Sequence, residues 1–459
     1  MHAMRQLAPT PYNQMLTHAG AWSHDSQWIV YDVRSTADGS VFNGRRIERA
    51  CLASGRVEVL YESQRGACCG VATLSPVDDQ VVFIVGPEDP TPEWSYGPAH
   101  RQAAVVRMSQ PGVIENLDAR NLDPPFTPGS LRGGSHLHLF SGDGRLVSFT
   151  YEDAILGSPL EVLESDAPPA ANAAEKNLRG VGVSVCGRAV TVPKTHPRNH
   201  DGTAFTVLVT RLVDAPRPGS DEISQASEEA WVGDAGSTPQ GFRRRYALAF
   251  QGQVVANDGE TIREAFLIEL PENPIDLETV PHFGEPNRSQ SDSGRQTPEI
   301  DCIQGTLTHR PAPPPGVVQR RLTHTAHRRF PGIQGPRHWL RSSPDGSRIA
   351  MLLRDDAGRV QLFTVSPAGG DVCQVSRDPW DVTSAFTWTP DGSRIAYVAD
   401  GSVFTVAVAT GQSKRLTPRV ADGTSPRGEA CVVSPNGRHI AFMRRHVHNQ
   451  IFVVDIACD

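Results

Sequence analysis

The chain is poor in the signatures that usually point to a chemistry. Its 459 residues contain no stretch of about 18 apolar residues, so no membrane-spanning helix is expected. Net charge is −7 without a long basic run, which excludes the electrostatic footprint of a nucleic-acid binder. No Gly-x-x-x-x-Gly-Lys-Ser/Thr loop is present to cradle phosphates, so no nucleotide cofactor is expected. A Gly-x-Ser-x-Gly elbow, a His-Glu-x-x-His pair and an Asp-x-Asp-x-Asp calcium loop are all absent. The eight cysteines form no Cys-x-x-Cys, and the adjacent Cys68-Cys69 read as structural thiols. No apolar run follows Met1-His2-Ala3-Met4-Arg5-Gln6-Leu7, so no secretory signal is expected and the expected address is the cytoplasm. Aromatic residues make up only 7%, against 37 prolines and 41 glycines, the balance of a turn-dense all-β chain.

What the chain does have is a repeated phrase. Ser343-Pro344-Asp345-Gly346-Ser347-Arg348-Ile349-Ala350 returns as Thr389-Pro390-Asp391-Gly392-Ser393-Arg394-Ile395-Ala396 and, altered, as Ser434-Pro435-Asn436-Gly437-Arg438-His439-Ile440-Ala441. The spacings are 46 residues (343 to 389) and 45 (389 to 434). A fixed period in this range, built on turns and short apolar alternations, predicts a β-propeller. Between turns lie four short β-rich runs, such as Arg394–Val398 and Val403–Val408, and one such sheet cannot bury both faces unless blades stack around an axis.

Weaker copies of the turn at Ser23, Ser75, Ser141 and Asn199 predict blades one to four, giving a single seven-bladed propeller over residues 1–459. Eight blades follow instead if residues 243–270 form a blade of their own. Residues 213–320 break the period and read as a long insertion within the fourth blade, with strands at Tyr246–Phe250 and Ala265–Leu270 and a short helix from Glu222 to Trp231. The last blade has no outer strand after Asp455. Arg5-Gln6-Leu7 matches the outer-strand phrases Arg321-Leu322-Thr323 and Arg415-Leu416-Thr417, so the N-terminal strand is expected to close the ring.

The register nominates side chains for the channel mouth. Counting back from each turn, and taking equal parity as the same side of a strand, gathers His18, His136, His138, Lys194, His196, His338 and Glu429. The His136/His138 and His446/His448 pairs, with His338, have the spacing of ligands for a divalent Mn, Zn, Ni or Fe ion. Lys194 and His196 are the candidate catalytic bases. Arg101, Arg337 and Arg354 could hold a carboxylate, Glu429 could bind substrate polar groups, and Trp94 or Trp231 could stack on a sugar ring.

The repeated phrase, with Leu416-Thr417 after it, resembles the repeats of TolB-type propellers, which also occur in oligogalacturonate lyases. Trp28–Ser35, Gly66–Val71, Pro193–Gly202 and Gly335–Leu340 resemble an uncharacterised bacterial family, labelled a domain of unknown function and sometimes biofilm-related. The first resemblance implies a propeller and, through the lyases, a metal held at the channel mouth and proton removal beside a uronate carboxylate. Two readings stay open from sequence. One is a His-rich mouth site for a divalent metal or a small anionic, sugar-derived ligand, with lyase-like chemistry. The other is a non-catalytic scaffold for a protein partner.

Overall fold

The repeated turn builds itself from its own side chains. In the computed structural model Ser343 Oγ donates to Asp345 Oδ1 at 2.6 Å, and the same carboxylate oxygen accepts the Ser347 N–H at 3.0 Å. Gly346 sits at φ 71°, where a Cβ would be strained, and its N–H closes the turn on the Ser343 carbonyl. Thr389/Asp391 and Ser434/Asn436 repeat the bond at 2.5 and 2.7 Å. The phrase is therefore a hairpin connector, and it joins the first and second strands of a blade.

The structure describes residues 3–36, 39–156, 174–233, 246–278, 303–335 and 339–456. It forms a seven-bladed β-propeller of four-stranded antiparallel sheets. From the innermost strand outward, blade one is Asn13–Met15, Trp28–Arg34, Arg46–Cys51 and Val57–Glu62. Blade two is Cys69–Leu74, Gln80–Val85, Gln102–Arg107 and Ile114–Asn116. Blade three is Gly133–Phe140, Leu146–Asp153, Gly180–Val190 and Gly202–Leu208; blade four is Ala226–Trp231, Ala247–Val255, Thr261–Glu269 and Val318–Arg321. Blades five and six begin at Arg341 and Thr387. Blade seven runs Pro426–Val433, His439–Arg445 and Asn449–Asp455.

The outer strand of blade seven is Met4–Gln6, paired antiparallel with Phe452–Val454, so the N-terminal strand closes the ring as expected. Each neighbouring pair of blades shares an apolar layer. Blades seven and one pack Val432, Met443 and Val453 against Ile29 and Tyr31, all essentially dry. Blades three and four pack Leu146, Val183, Phe250 and Phe266. Among the described residues no helix is long and apolar enough to cross a membrane.

Blade four departs from the expected register. Asn199–Gly202 does not open it. Gly202–Leu208 is the outer strand of blade three, paired with Gly182–Val190. The strands of blade four come from the long irregular segment, where the runs expected at Tyr246–Phe250 and Ala265–Leu270 fall in the longer strands Ala247–Val255 and Thr261–Glu269. The segment expected as an insertion thus supplies the strands of the fourth blade itself, with a long connection between Glu269 and Val318. The helix expected over 222–231 is instead the inner strand Ala226–Trp231. The count of seven holds because 243–270 contributes two middle strands rather than a separate blade.

Candidate functional site at the channel mouth

The inner strands of blades two, three and four share a distortion. Pairing slips between Gly70 and Thr73, between His136 and Leu139, and between Ser227 and Ala230. Within each slip one residue, Val71, Leu137 or Glu228, takes a left-handed φ of 56 to 60°. These are β-bulges, in which two residues oppose one on the partner strand. In blade three, His136 pairs with Thr150 and Leu139 with Ser148, so Leu137 and His138 together oppose Phe149.

The bulge overturns the parity expected of His136 and His138. The extra residue puts the two imidazoles on opposite faces of the sheet. His138 is wholly buried beside Phe149, with neither ring nitrogen hydrogen-bonded, and burial pulls its pKa down to about 3. His136 instead lines a cavity of about 310 Å³ that opens at the channel mouth.

That cavity draws on five blades. Its wall includes His18, Asp32 and Arg34 from blade one, Val71, Tyr96 and Arg101 from blade two, His136 and Leu137 from blade three, Trp339 before blade five, and Glu429 from blade seven. The His18 ring stacks on Trp339 across the ring, with centroids 3.5 Å apart and planes at 16°. Leu137, Trp339 and Ala385, with Val71 against them, form one apolar cluster. This plug floors the mouth and divides the channel in two.

The charged groups differ in how far they are committed. Asp32 accepts one bond on each oxygen, from the Arg34 Nε at 2.9 Å and the Val71 N–H at 3.0 Å. Glu429 pairs with Arg427. Arg34 lies over Phe42, Phe42 stacks on Tyr96 at 4.6 Å, and Arg101 lies over Tyr96, a cation–ring–ring–cation pile. Arg101 Nε donates to the Tyr96 hydroxyl at 3.0 Å, and its terminal amino groups have no acceptor among the described residues. Burial lifts the Tyr96 phenol to about 12. The His136 pKa falls well below the ordinary value, first through burial and then through the nearby Arg101 charge, so the ring is uncharged at neutral pH.

The other nominated residues do not join this cavity. Lys194 and His196 lie on the connection between the third and fourth strands of blade three, not on an inner strand. Lys194 Nζ is paired with Asp201 at 2.6 Å on the surface, and His196 Nδ1 accepts the Arg198 N–H. Trp94 stacks on His100 at 3.8 Å outside the cavity. Trp231 lines a different cavity, below the plug. Arg354 is held by Gln334 on blade five, away from the cavity wall. His446 and His448 sit at the tip of the hairpin between the second and third strands of blade seven, not on one side of a strand. Arg337 and His338 lie outside the described residues. Among the described residues no three His, Cys, Asp or Glu side chains are placed to hold a metal ion.

Sequence reasoning missed Asp32, Arg34 and Phe42. They come from a second strand and from a loop, and only the charged Asp32-Val33-Arg34 inside an otherwise apolar strand could have signalled them. It missed Glu229 too, which holds in blade four the bulge position of His138. Glu229 is buried, accepts the Thr150 hydroxyl at 3.0 Å on Oε2, leaves Oε1 without a partner, and is lifted by burial to about 8.

Seven four-stranded blades and a charged, aromatic-lined cavity at one channel mouth define the molecule as a seven-bladed β-propeller. Its relatives place it more closely. A family model described as "Protein of unknown function (DUF3748)" matches residues 68–200. The protein "Uncharacterized protein YidR" of Escherichia coli (strain K12) is 40% identical over 442 residues, which is 96% of this chain and 95% of that one. The chain belongs to the family of that protein.

Among solved structures, an oligogalacturonate lyase in complex with manganese superposes with a TM-score of 0.55 at 11% identity, covering 100% of this chain and 94% of that one. An oligogalacturonate lyase from Vibrio parahaemolyticus gives 0.53 at 11% identity with the same coverage. A putative TolB from Agrobacterium tumefaciens gives 0.38 at 13% identity, over 88% of this chain and 94% of that one. At these identities the lyase likeness is one of fold.

Proposed function

We propose that the upper channel mouth binds a small anionic, sugar-derived ligand through its carboxylate. The observation that carries this reading is Arg101, whose terminal amino groups have no acceptor among the described residues and which lines the same cavity as the uncharged His136. A guanidinium held by Tyr96 is pre-oriented, which favours two-point capture of a carboxylate. Phe42, Tyr96 and Trp339 supply apolar wall for a sugar ring. The fold likeness to proteins titled oligogalacturonate lyase supports a uronate in particular.

The chemistry such a site offers is proton removal beside the bound carboxylate. Arg101 would stabilise the charge that develops on the carboxylate, and His136, having no proton charge of its own, would accept the proton.

Titration calorimetry with digalacturonate, galactose and acetate tests the reading. Digalacturonate is expected to bind and galactose is not, and Arg101→Gln is expected to weaken the uronate by roughly tenfold or more. Equal affinity for galactose, or an Arg101→Gln variant that binds uronate as the native chain does, would overturn it. That result would favour the other reading, a propeller that docks a protein partner.

A further inference from the structure

The channel has a second mouth. Below the plug of Val71, Leu137 and Trp339 lies a cavity of about 320 Å³, walled by Thr73, Leu139, Trp231, Arg341 and Trp388 among others. Arg341 begins the inner strand of blade five and is 8% exposed. Its Nη1 donates to the Leu340 carbonyl at 2.9 Å. Its Nε and Nη2 are buried and have no acceptor among the described residues. No carboxylate among the described residues pairs with it, and burial alone draws its pKa down to about 9. Its guanidinium carbon lies 5.9 Å from the centroid of the Trp339 ring.

The other polar groups of this wall are already satisfied. The Trp231 indole N–H donates to the Leu139 carbonyl at 2.8 Å, and that of Trp388 to the Arg341 carbonyl at 3.0 Å. The Thr73 hydroxyl donates to the His138 carbonyl, and the Ser342 hydroxyl to the Ser343 carbonyl. The unmet demand is therefore concentrated on one edge of one guanidinium. A buried cation with two parallel N–H donors and no partner is what folded chains avoid unless an anion completes it. The Nε–Nη2 edge matches the two oxygens of a carboxylate or a phosphate side-on.

We propose that the lower mouth is a second, separate anion site, in which Arg341 takes a small carboxylate or phosphate side-on through Nε and Nη2, with the rest of the ligand against Trp231 and Trp388. It stands independently of the upper mouth, from which the plug separates it.

The probes are inorganic phosphate and acetate, titrated calorimetrically at constant ionic strength into the native chain, Arg341→Met, Arg341→Lys and Arg101→Gln. Phosphate or acetate is expected to bind the native chain, and a binding event that depends on Arg341 is expected to persist in Arg101→Gln even where that variant loses a separate carboxylate event at the upper mouth. Affinity is expected to fall tenfold or more in Arg341→Met, and in Arg341→Lys, which keeps the charge but loses the fork. The stronger probe tells carboxylate from phosphate. Absence of binding by either probe at millimolar concentration, or unchanged affinity in a folded Arg341→Met, would overturn the proposal. Should Arg341→Met not fold, unchanged affinity in Arg341→Lys would do the same. Loss of the event in Arg101→Gln would assign it to the upper mouth and also overturn it.

Discussion

Replacing Glu229 by glutamine is expected to change how stability responds to pH. Glu229 is sealed between blades three and four with one oxygen bonded to Thr150 and the other unpartnered. Burial raises its carboxyl from 4.5 to about 8. Around neutrality the folded chain keeps this proton while the unfolded chain releases it. The unfolded state then binds fewer protons, so stability falls as pH rises from about 4.5 to about 8. At about 1.4 kcal/mol per pH unit once the unfolded carboxyl is ionised, the loss between pH 5 and pH 7 is about 2.5 kcal/mol. Glutamine keeps an acceptor for the Thr150 hydroxyl and has no proton to lose. The difference in unfolding free energy between Glu229→Gln and the native chain should therefore shift by about 2.5 kcal/mol in favour of the variant over that interval. Guanidinium unfolding of both chains at pH 5 and pH 7 measures it. Parallel pH dependences would show that Glu229 is ionised in the folded state and that the cavity around it is wetter than its burial implies.

Leu7→Ala removes a buried side chain where the N-terminal strand seats on blade seven, its N–H on the Ile451 carbonyl at 2.9 Å. A loss of about 2 to 4 kcal/mol is expected in denaturant unfolding, and a loss under about 0.5 kcal/mol would mean that the closing strand frays. His136→Asn should flatten the pH dependence of uronate binding. In the native chain a bound carboxylate offsets the nearby arginine charge and favours the protonated ring, so affinity should tighten as pH falls from 7 to 5.5. Calorimetry at the two pH values checks it, and equal slopes in both chains would remove His136 from the site.

The architecture was legible wherever the turn carried its own chemistry. Ser343, Thr389 and Ser434 announce their hairpins because the hydroxyl–carboxylate or hydroxyl–amide bond and the left-handed glycine are local. Blade four was misread because the connection after Trp231 carries no such phrase, while Asn199-His200-Asp201-Gly202 imitates one on a different connection. The site was legible at His18, His136, Arg101 and Glu429, which the cavity brings together. It was illegible where backbone pairing intervened. A bulge at Leu137 leaves no mark in composition, yet it reverses the facing of every residue beyond it, and so His138 turned away from its neighbour.

The seam at blade seven also orders events in time. Residues 4–6 are made long before the strand they pair with, 452–454. Throughout synthesis the N-terminal strand has no partner to zip onto, and six blades must wait as an open arc with two raw edges. Only when the final strand emerges does one contact, spanning nearly the whole chain, convert the arc into a circle. The ring thus carries its own completeness check, since a chain cut short before residue 452 cannot latch and stays exposed to proteolysis.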